Sequence, residues 1–367
     1  MYNPLIKFIR DWYQTKGIIP LHEPRFREID RNYVLDAIDS TFVSSIGEYV
    51  DRFEQKLAQY LGAAYAVAMV NGTAALQTAL RVAGVEQNDE VITQPLTFVA
   101  TANAIVHNNA VPVFVDVNRE TLGLCPAALE RFLDQNTQRN GRRTFNKNSG
   151  RRIAAIVPMH TFGHPCRMNQ ILELAASWQI PVVEDAAEAL GSKISKAHCA
   201  TFGSLGVLSF NGNKTITCGG GGAIITNDAA LARKAKHLTT TAKVDHQWEF
   251  VHDEIGYNFR LPNLNAALAC AQLEQLEGFL NDKRKLAAAY EAFFRINEWG
   301  RFVTEPDGCS SNYWLNAVIT SDKKQRDEFL KKTNESGIMT RPAWKLLPDL
   351  PMYKQCQTDN LENARWL

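Results

Sequence analysis

The stretch that decides the interpretation of this chain is SFNGNK at residues 209–214, followed by GGGG at residues 219–222. Two apolar runs flank it, Leu205 to Phe210 and Ala223 to Thr226, and both predict β-strands. Lys214 therefore lies in a turn among small or polar residues. We expect its long cationic side chain to point into a site rather than across an exposed helix face.

A second stretch, VVEDAAEALGS at residues 182–192, leads an apolar strand directly into a carboxylate. An enzyme that uses pyridoxal phosphate (PLP) needs such an acid and a lysine after a later strand. The acid keeps the pyridine nitrogen protonated, and the amine forms a Schiff base. We therefore predict PLP as cofactor, with Asp185 and Lys214 as catalytic residues. Glu188 is interpreted as a neighbour of the bound ring rather than as half of a carboxylate pair.

Apolar runs typical of strands alternate with helical stretches through the first half of the chain. Strands are predicted at 65–70, 90–93, 111–115, 153–158 and 181–184, with helices at 73–83, 98–108, 126–135 and 168–178. This alternation predicts an α/β fold with a mainly parallel central sheet and helices on both faces. Ligands in such folds bind outside the carboxyl ends of the strands.

The length of 367 residues favours a large domain plus a smaller one. We predict an N-terminal segment at 1–30, a large PLP-binding domain at 31–261, and a connecting helix with a small C-terminal α/β domain at 262–367. The connecting helix is predicted from Pro262 to Arg295, and a strand of the small domain from Tyr313 to Ile319. The polar residues 136–152 are predicted to form a surface loop or hairpin.

Composition and spacing exclude several classes of function. A net charge of +1 gives no sign of a basic surface that binds nucleic acid. The sequence contains no run of about 18 apolar residues, so we predict no membrane span. Seven scattered cysteines without a CxxC pair favour reduced thiols in a cytoplasmic enzyme. The glycine run fits neither GxxxxGK[ST] nor GxGxxG. His160 and His164 flank a segment unsuited to a helix, so we predict no metal site.

Three further motifs are candidates for cofactor contacts. NGTAAL at 71–76 follows a strand and opens a helix, whose N–H groups favour an anion, so Gly72, Thr73 and Ala74 are candidates for the cofactor phosphate. An ordinary helix start is the alternative. Phe98 is a candidate to stack on the pyridine ring, or else a core residue. Ser209, at a strand end, is a further candidate for the phosphate.

Together these motifs resemble the DegT/StrS-type sugar-nucleotide aminotransferases, which are fold-type I PLP-dependent transferases. The resemblance runs from about residue 21 to the end and includes GYN at 256–258. It implies that Lys214 binds the cofactor and moves the proton, Asp185 pairs with the pyridine nitrogen, and Phe98 stacks on the ring. It assigns Gly72, Thr73, Ala74 and Ser209 to the phosphate. Asn258 would reach the cofactor of a neighbouring subunit, which implies a homodimer with shared active sites.

The finer pattern is similar to the subgroup that makes 4-amino sugars for legionaminic acid. The residues that carry this likeness are IPLHEP at 19–24, FVSS at 42–45 and NYWLN at 312–316. The implied reaction transfers the amino group of glutamate to C4 of a nucleotide-linked 4-keto-6-deoxy sugar. Lys243, Arg341 and Trp344 are expected to contact that sugar nucleotide. No motif distinguishes a UDP from a GDP carrier.

Two alternatives remain open at this point. A PLP-dependent sugar dehydratase resembles this family but has histidine where Lys214 stands, and a non-catalytic regulator on the same fold would have lost Asp185 or Lys214. The sequence ends at Leu367 without the C-terminal strand that the resemblance implies, which gives the expectation of a truncated chain.

Overall fold

The structure is a computed structural model and describes residues 2–367. Its α-helices are α1 (Asn3–Tyr13), α2 (Glu28–Asp39), α3 (Glu48–Leu61), α4 (Gly72–Val82), α5 (Ala100–Val106), α6 (Pro126–Asn136), α7 (Met168–Ser177), α8 (Ala229–Thr239), α9 (Asn263–Glu274), α10 (Leu276–Ile296), α11 (Lys323–Glu335) and α12 (Glu362–Trp366). Its strands are β1 (Tyr65–Met69), β2 (Glu90–Thr93), β3 (Val111–Phe114), β4 (Thr137–Asn140), β5 (Arg143–Asn146), β6 (Arg152–Val157), β7 (Val183–Asp185), β8 (Lys193–Ile194), β9 (Ala197–His198), β10 (Leu205–Ser209), β11 (Gly222–Thr226), β12 (Gly300–Phe302), β13 (Cys309–Ser310) and β14 (Val318–Thr320). Short 3₁₀ helices span Thr161–Gly163, Leu347–Asp349 and Pro351–Tyr353.

The central sheet has the strand order β3-β2-β6-β7-β10-β11-β1. Ladders join β3 to β2 to β6 and β7 to β10 in parallel, and β11 pairs antiparallel with both β10 and β1. Parallel bridges from Ile156 to Val182 and from Met159 to Asp185 join β6 to β7. Among these seven strands, β11 alone runs against the others, and β5 adds to β6 in antiparallel fashion outside them. This arrangement confirms the predicted mainly parallel sheet.

Both faces of this sheet are covered by helices, as β1 illustrates. Ala66 and Ala68 belong to a core cluster with residues of α2, α3 and α9, whereas Val67 and Met69 belong to a cluster with residues of α4 and α8. Successive side chains of a strand point to opposite faces, so a strand buried on both sides is apolar throughout. A third cluster packs α6 and α7 onto the other half of the sheet.

The structure differs from two predictions in the C-terminal third. The helical pattern from Pro262 to Arg295 forms two helices, α9 and α10, and α9 packs in the same cluster as α2 and α3. Residues 313–319 form a strand only from Val318. Tyr313 has a left-handed φ of 45°. The Asn312 N–H donates to the Ser192 hydroxyl and the Trp314 N–H to the Asn312 side chain, so these N–H groups do not pair with a strand.

A separate cluster packs α1, from the predicted N-terminal segment, against α10, β12 and α11 of the predicted C-terminal domain. The C-terminal residues then return to the central sheet, where the Phe114 N–H donates to the Gln357 carbonyl at 2.9 Å. The Asp116 carboxylate accepts from the N–H groups of Asn363 and Ala364 at the start of α12. The predicted division of the chain at residue 262 stays a prediction.

The predicted polar segment at 136–152 contains a hairpin in which β4 and β5 pair antiparallel. None of the helices in the described part of the chain is long and apolar enough to cross a membrane.

Candidate active site

A cleft of about 2200 Å³ lies at the carboxyl ends of the central strands and extends to the small domain. Asp185 ends β7, Ser209 ends β10, and the turn after β1 opens α4. These strands are neighbours or near neighbours in a parallel sheet, so their ends meet at one edge. The cleft is accordingly lined by Asp185, Ser209, Gly72 and Lys214, which are far apart in the sequence.

Asp185 is 5% exposed, and its carboxylate is held on both oxygens. The Thr101 hydroxyl donates to Oδ2 at 2.7 Å, and the Ala187 N–H donates to Oδ1 at 3.2 Å. Hydrogen bonds to a charged acceptor are stronger than those between neutral groups, and they fix the direction of the carboxylate. Asp185 is therefore oriented before any ligand binds.

Lys214 and Glu188 face each other, with 3.7 Å between Nζ and Oε1. The Lys214 Nζ also lies 4.3 Å from the centroid of the Trp314 ring, and the Trp314 Nε1–H donates to the Asn213 carbonyl at 2.6 Å. Trp314 therefore supports both the amine and the turn that carries it. The side chain of Lys214 is only 12% exposed.

Glu188 is 2% exposed, and its Oε2 accepts from the Phe162 N–H at 2.9 Å. Burial raises the pKa of Glu188 to about 7, although the Lys214 ammonium opposes this rise. Phe162 has a left-handed φ of 56°. A non-glycine residue in this region, next to a carboxylate in the site, marks a backbone held in place by its surroundings.

The start of α4 provides donors at one end of the cleft. Among residues 2–367, no protein group accepts from the backbone N–H of Gly72 or Thr73. The Ala74 N–H, in contrast, donates to the side chain of Asn71 at 2.8 Å, so it is already occupied. A Cβ on Gly72 would come within 2.8 Å of the Ser209 Cβ, so only glycine permits this approach of α4 to β10.

Aromatic side chains form another wall of the cleft. Phe98 is 50% exposed, and its ring centroid lies 6.3 Å from that of Trp344, which in turn lies 5.0 Å from Phe162. Arg341 also lines the cleft, and its Nη1 donates to the Asn334 side chain at 3.0 Å. Phe98, Trp344 and Arg341 are thus brought to the same space as Lys214.

Two predicted residues, Asn258 and Lys243, are absent from the lining of this cleft. Asn258 is exposed and accepts from Arg260 Nε at 3.0 Å. Lys243 is also exposed, with its Nζ 4.1 Å from the centroid of the Phe250 ring. Neither residue reaches the cleft of its own chain, and both roles stay predictions.

Sequence reasoning assigned no role to Thr101, Phe162 or Trp314. Thr101 lies three residues after Phe98 in the segment predicted as a helix at 98–108, and this spacing was the available signal, although α5 begins only at Ala100. Trp314 lies in the NYWLN motif at 312–316, which marked the segment without giving this residue a role. Phe162 had no such signal.

The model of the DegT/DnrJ/EryC1/StrS aminotransferase family matches residues 24–367. The chain belongs to this family. It is 36% identical over 337 residues to the GDP-perosamine synthase of Escherichia coli O157:H7, covering 92% of this chain and 87% of the relative. It is also 36% identical to a putative pyridoxal phosphate-dependent aminotransferase, EpsN, of Bacillus subtilis, covering 91% of this chain and 84% of the relative.

Solved structures agree with this assignment. Helicobacter pylori PseC, an aminotransferase involved in the biosynthesis of pseudoaminic acid, superposes with a TM-score of 0.86 at 25% identity, covering 95% of this chain and 91% of PseC. A family member from Brucella abortus gives a TM-score of 0.82 at 28% identity, covering 90% and 85% of the two chains. The chain is a sugar aminotransferase with the fold-type I architecture, and PLP is its cofactor.

The residues of the cleft fit this cofactor. The free N–H groups at the start of α4, together with the Ser209 hydroxyl, suit a phosphate, and the oriented carboxylate of Asp185 suits a protonated ring nitrogen. When bound, PLP supplies an electron sink for reactions at an amine-bearing carbon. Lys214, which is predicted to bind it, lies in the same cleft as Asp185.

Proposed function

We propose that this enzyme transfers an amino group from glutamate to C4 of a nucleotide-linked 4-keto-6-deoxy-N-acetylhexosamine, for legionaminic acid or a related surface glycan. We further propose that it acts in the cytoplasm as a homodimer, in which Asn258 of each chain completes the site of the other. The likeness of NYWLN at 312–316 to the legionaminic acid subgroup supports the choice of sugar.

The observation that carries this proposal is the placement of Lys214 between Glu188 and Trp314 in the same cleft as Asp185. An amine that binds the cofactor and then moves a proton must be shielded from water. It must also lie close to an acid whose pKa is near the working pH. Glu188, with its pKa near 7, meets that requirement. Positioned proton transfer of this kind contributes about 10²- to 10⁴-fold to the rate.

Lys214 and Asp185 also weigh against the two alternatives. A dehydratase of this type has histidine in place of the lysine, and a regulator without catalysis has no need to keep an oriented carboxylate opposite a buried amine. A second candidate substrate remains the one implied by the relatives named GDP-perosamine synthase, which share 36% and 34% identity with this chain. That reaction would use a GDP-linked keto sugar without the acetamido group.

One experiment separates these candidates. Purified enzyme with glutamate is incubated with UDP- and GDP-linked 4-keto-6-deoxy sugars, each with and without an acetamido group, and products are identified by mass and NMR. Amination at C4 of an acetamido sugar supports the proposal. Amination of only the GDP-linked sugar without acetamido supports perosamine synthesis, and loss of water without amination identifies a dehydratase.

A further inference from the structure

Lys283 on α10 lines the cleft and has no carboxylate partner among residues 2–367. Its Nζ donates to the Trp314 carbonyl at 3.1 Å, which uses one of the three ammonium donors. Burial lowers the pKa of Lys283 to about 8, and no anion compensates. A sequestered cation without a partner is costly, so its presence in a cleft wall points to an anionic ligand.

The carboxylates around this part of the cleft already have other partners. Glu188 faces Lys214 at 3.7 Å, Asp282 faces Lys285 at 3.7 Å, and Glu23 faces Arg25 at 2.8 Å. Lys283 takes part in none of these ion pairs.

Two more polar side chains in the same cleft wall have unused hydrogen-bonding capacity. Asn316 lies two residues after Trp314 in the cleft lining, and neither its Oδ1 nor its Nδ2 has a hydrogen-bond partner among residues 2–367, so the Nδ2 amide is free to donate. His22 lies in the cleft near both Lys283 and Lys214. Burial, followed by the charges of these two lysines, lowers the pKa of His22 to about 4, so its ring is neutral near pH 7.

Trp314 connects this group of side chains to the reacting centre. Its carbonyl accepts from Lys283, and its ring lies 4.3 Å from the Lys214 Nζ. Because one residue contacts both ammonium groups, Lys283 lies within the reach of a substrate whose amine-bearing carbon is at Lys214. The charged groups of that substrate, rather than the reacting carbon itself, would meet Lys283.

We propose that Lys283, His22 and Asn316 form an anion subsite that binds a carboxylate or phosphate group of a substrate bound at Lys214. The subsite rests on the proposed function, since the two sources of such a group are the carboxylates of the amino donor and the diphosphate of the sugar nucleotide. Lys283 provides the charge, and the ring N–H of His22 and the Nδ2 amide of Asn316 provide neutral donors beside it.

The test measures binding by the PLP-loaded enzyme without requiring turnover. Glutarate, which carries two carboxylates without an amine, and inorganic pyrophosphate are titrated separately by calorimetry into wild type, Lys283→Met and the control Lys285→Met. Lys285 is an exposed cation on the same helix and lies outside the cleft lining. We expect Lys283→Met to weaken at least one anion by about 10- to 100-fold, the range for a lost hydrogen bond to a charged group, and the control to change neither.

The pattern identifies the source of the anion. Weaker glutarate binding alone assigns the subsite to the donor, weaker pyrophosphate binding alone assigns it to the sugar nucleotide, and weakening of both assigns it to both substrates in turn. Wild-type affinity for both anions in Lys283→Met, or no saturable binding of either anion to wild type, overturns the subsite.

A second variant guards against a folding defect in Lys283→Met. Asn316→Asp changes little in shape but places a negative charge in the cleft wall, so it should weaken binding of the same anion by 10-fold or more. If Asn316→Asp binds both anions as wild type does, the subsite is wrong. The proposed function fails separately, through absence of amination by the wild-type enzyme, and the anion titrations do not depend on that result.

Discussion

Replacing Glu188 by glutamine should make the folding stability of the cofactor-free protein depend less on pH. Glu188 is 2% exposed, and the charged groups near its carboxylate are Lys214, 3.7 Å away, and Asp185. Burial dominates over the lysine and raises the pKa of Glu188 from 4.5 to about 7. Glutamine has nearly the same shape and cannot ionise, so Glu188→Gln removes this titration while it keeps the acceptor for the Phe162 N–H.

The sign follows from proton binding. Between pH 4.5 and 7 the folded state holds a proton on Glu188 that the unfolded state has released, so stability falls as pH rises through this window. Raising a pKa from 4.5 to about 7 corresponds to about 3 kcal/mol, at about 1.4 kcal/mol for each pH unit. We therefore expect the free energy of unfolding of the variant, minus that of wild type, to increase by about 2 to 3 kcal/mol from pH 5 to pH 8.

The assay is urea unfolding of both cofactor-free proteins at pH 5, 6, 7 and 8. Glu173→Gln, which removes an exposed carboxylate on α7, serves as the control for a general charge effect. A difference that stays constant with pH would refute the argument. A difference of opposite sign would show that the Lys214 charge outweighs burial and that Glu188 is ionised in the folded protein.

Four further predictions concern catalysis. Lys214→Ala should lose at least 10²-fold in turnover while it still binds PLP noncovalently, and borohydride trapping with peptide mapping should label Lys214 in wild type; a label on another lysine contradicts the assignment. Asp185→Asn should lose far more turnover than sugar affinity in steady-state kinetics, since the ring nitrogen loses its ionic partner, and near wild-type turnover would refute this role. Mixing inactive Lys214→Ala chains with inactive Asn258→Ala chains should restore some activity, because one hybrid site keeps both groups; no recovery by two verified dimers argues against shared sites. Lys243→Ala and Arg341→Ala should each raise the KM for the sugar nucleotide by about 10- to 100-fold and leave the glutamate KM nearly unchanged, whereas equal effects on both substrates would indicate a general defect.

Much of the fold was accessible from local patterns. Strand β2 begins and ends as predicted, β1 and β3 differ by one residue at their C-terminal end, and β6 is shifted by one residue, because each is a short apolar run bounded by turn residues. The parallel sheet followed from the alternation of strands and helices. The predictions were wrong where tertiary contacts override the local pattern. At residues 313–317 no strand forms, because Asn312 and Trp314 donate hydrogen bonds to the carbonyls of Glu188 and Asn213.

The site divides in the same way. The sequence by itself determined that Asp185, Ser209 and the turn at Gly72 stand at strand ends, because a strand that ends in a polar residue is a local signal. That they share one cleft follows from the geometry of a parallel sheet.

Only the tertiary structure decided which groups surround Lys214. Trp314 comes from 100 residues further along the chain, and the hydroxyl on Asp185 comes from Thr101, 84 residues before it. Such pairings depend on how helices and loops pack against each other, and the short-range preferences of a sequence carry no information about that packing.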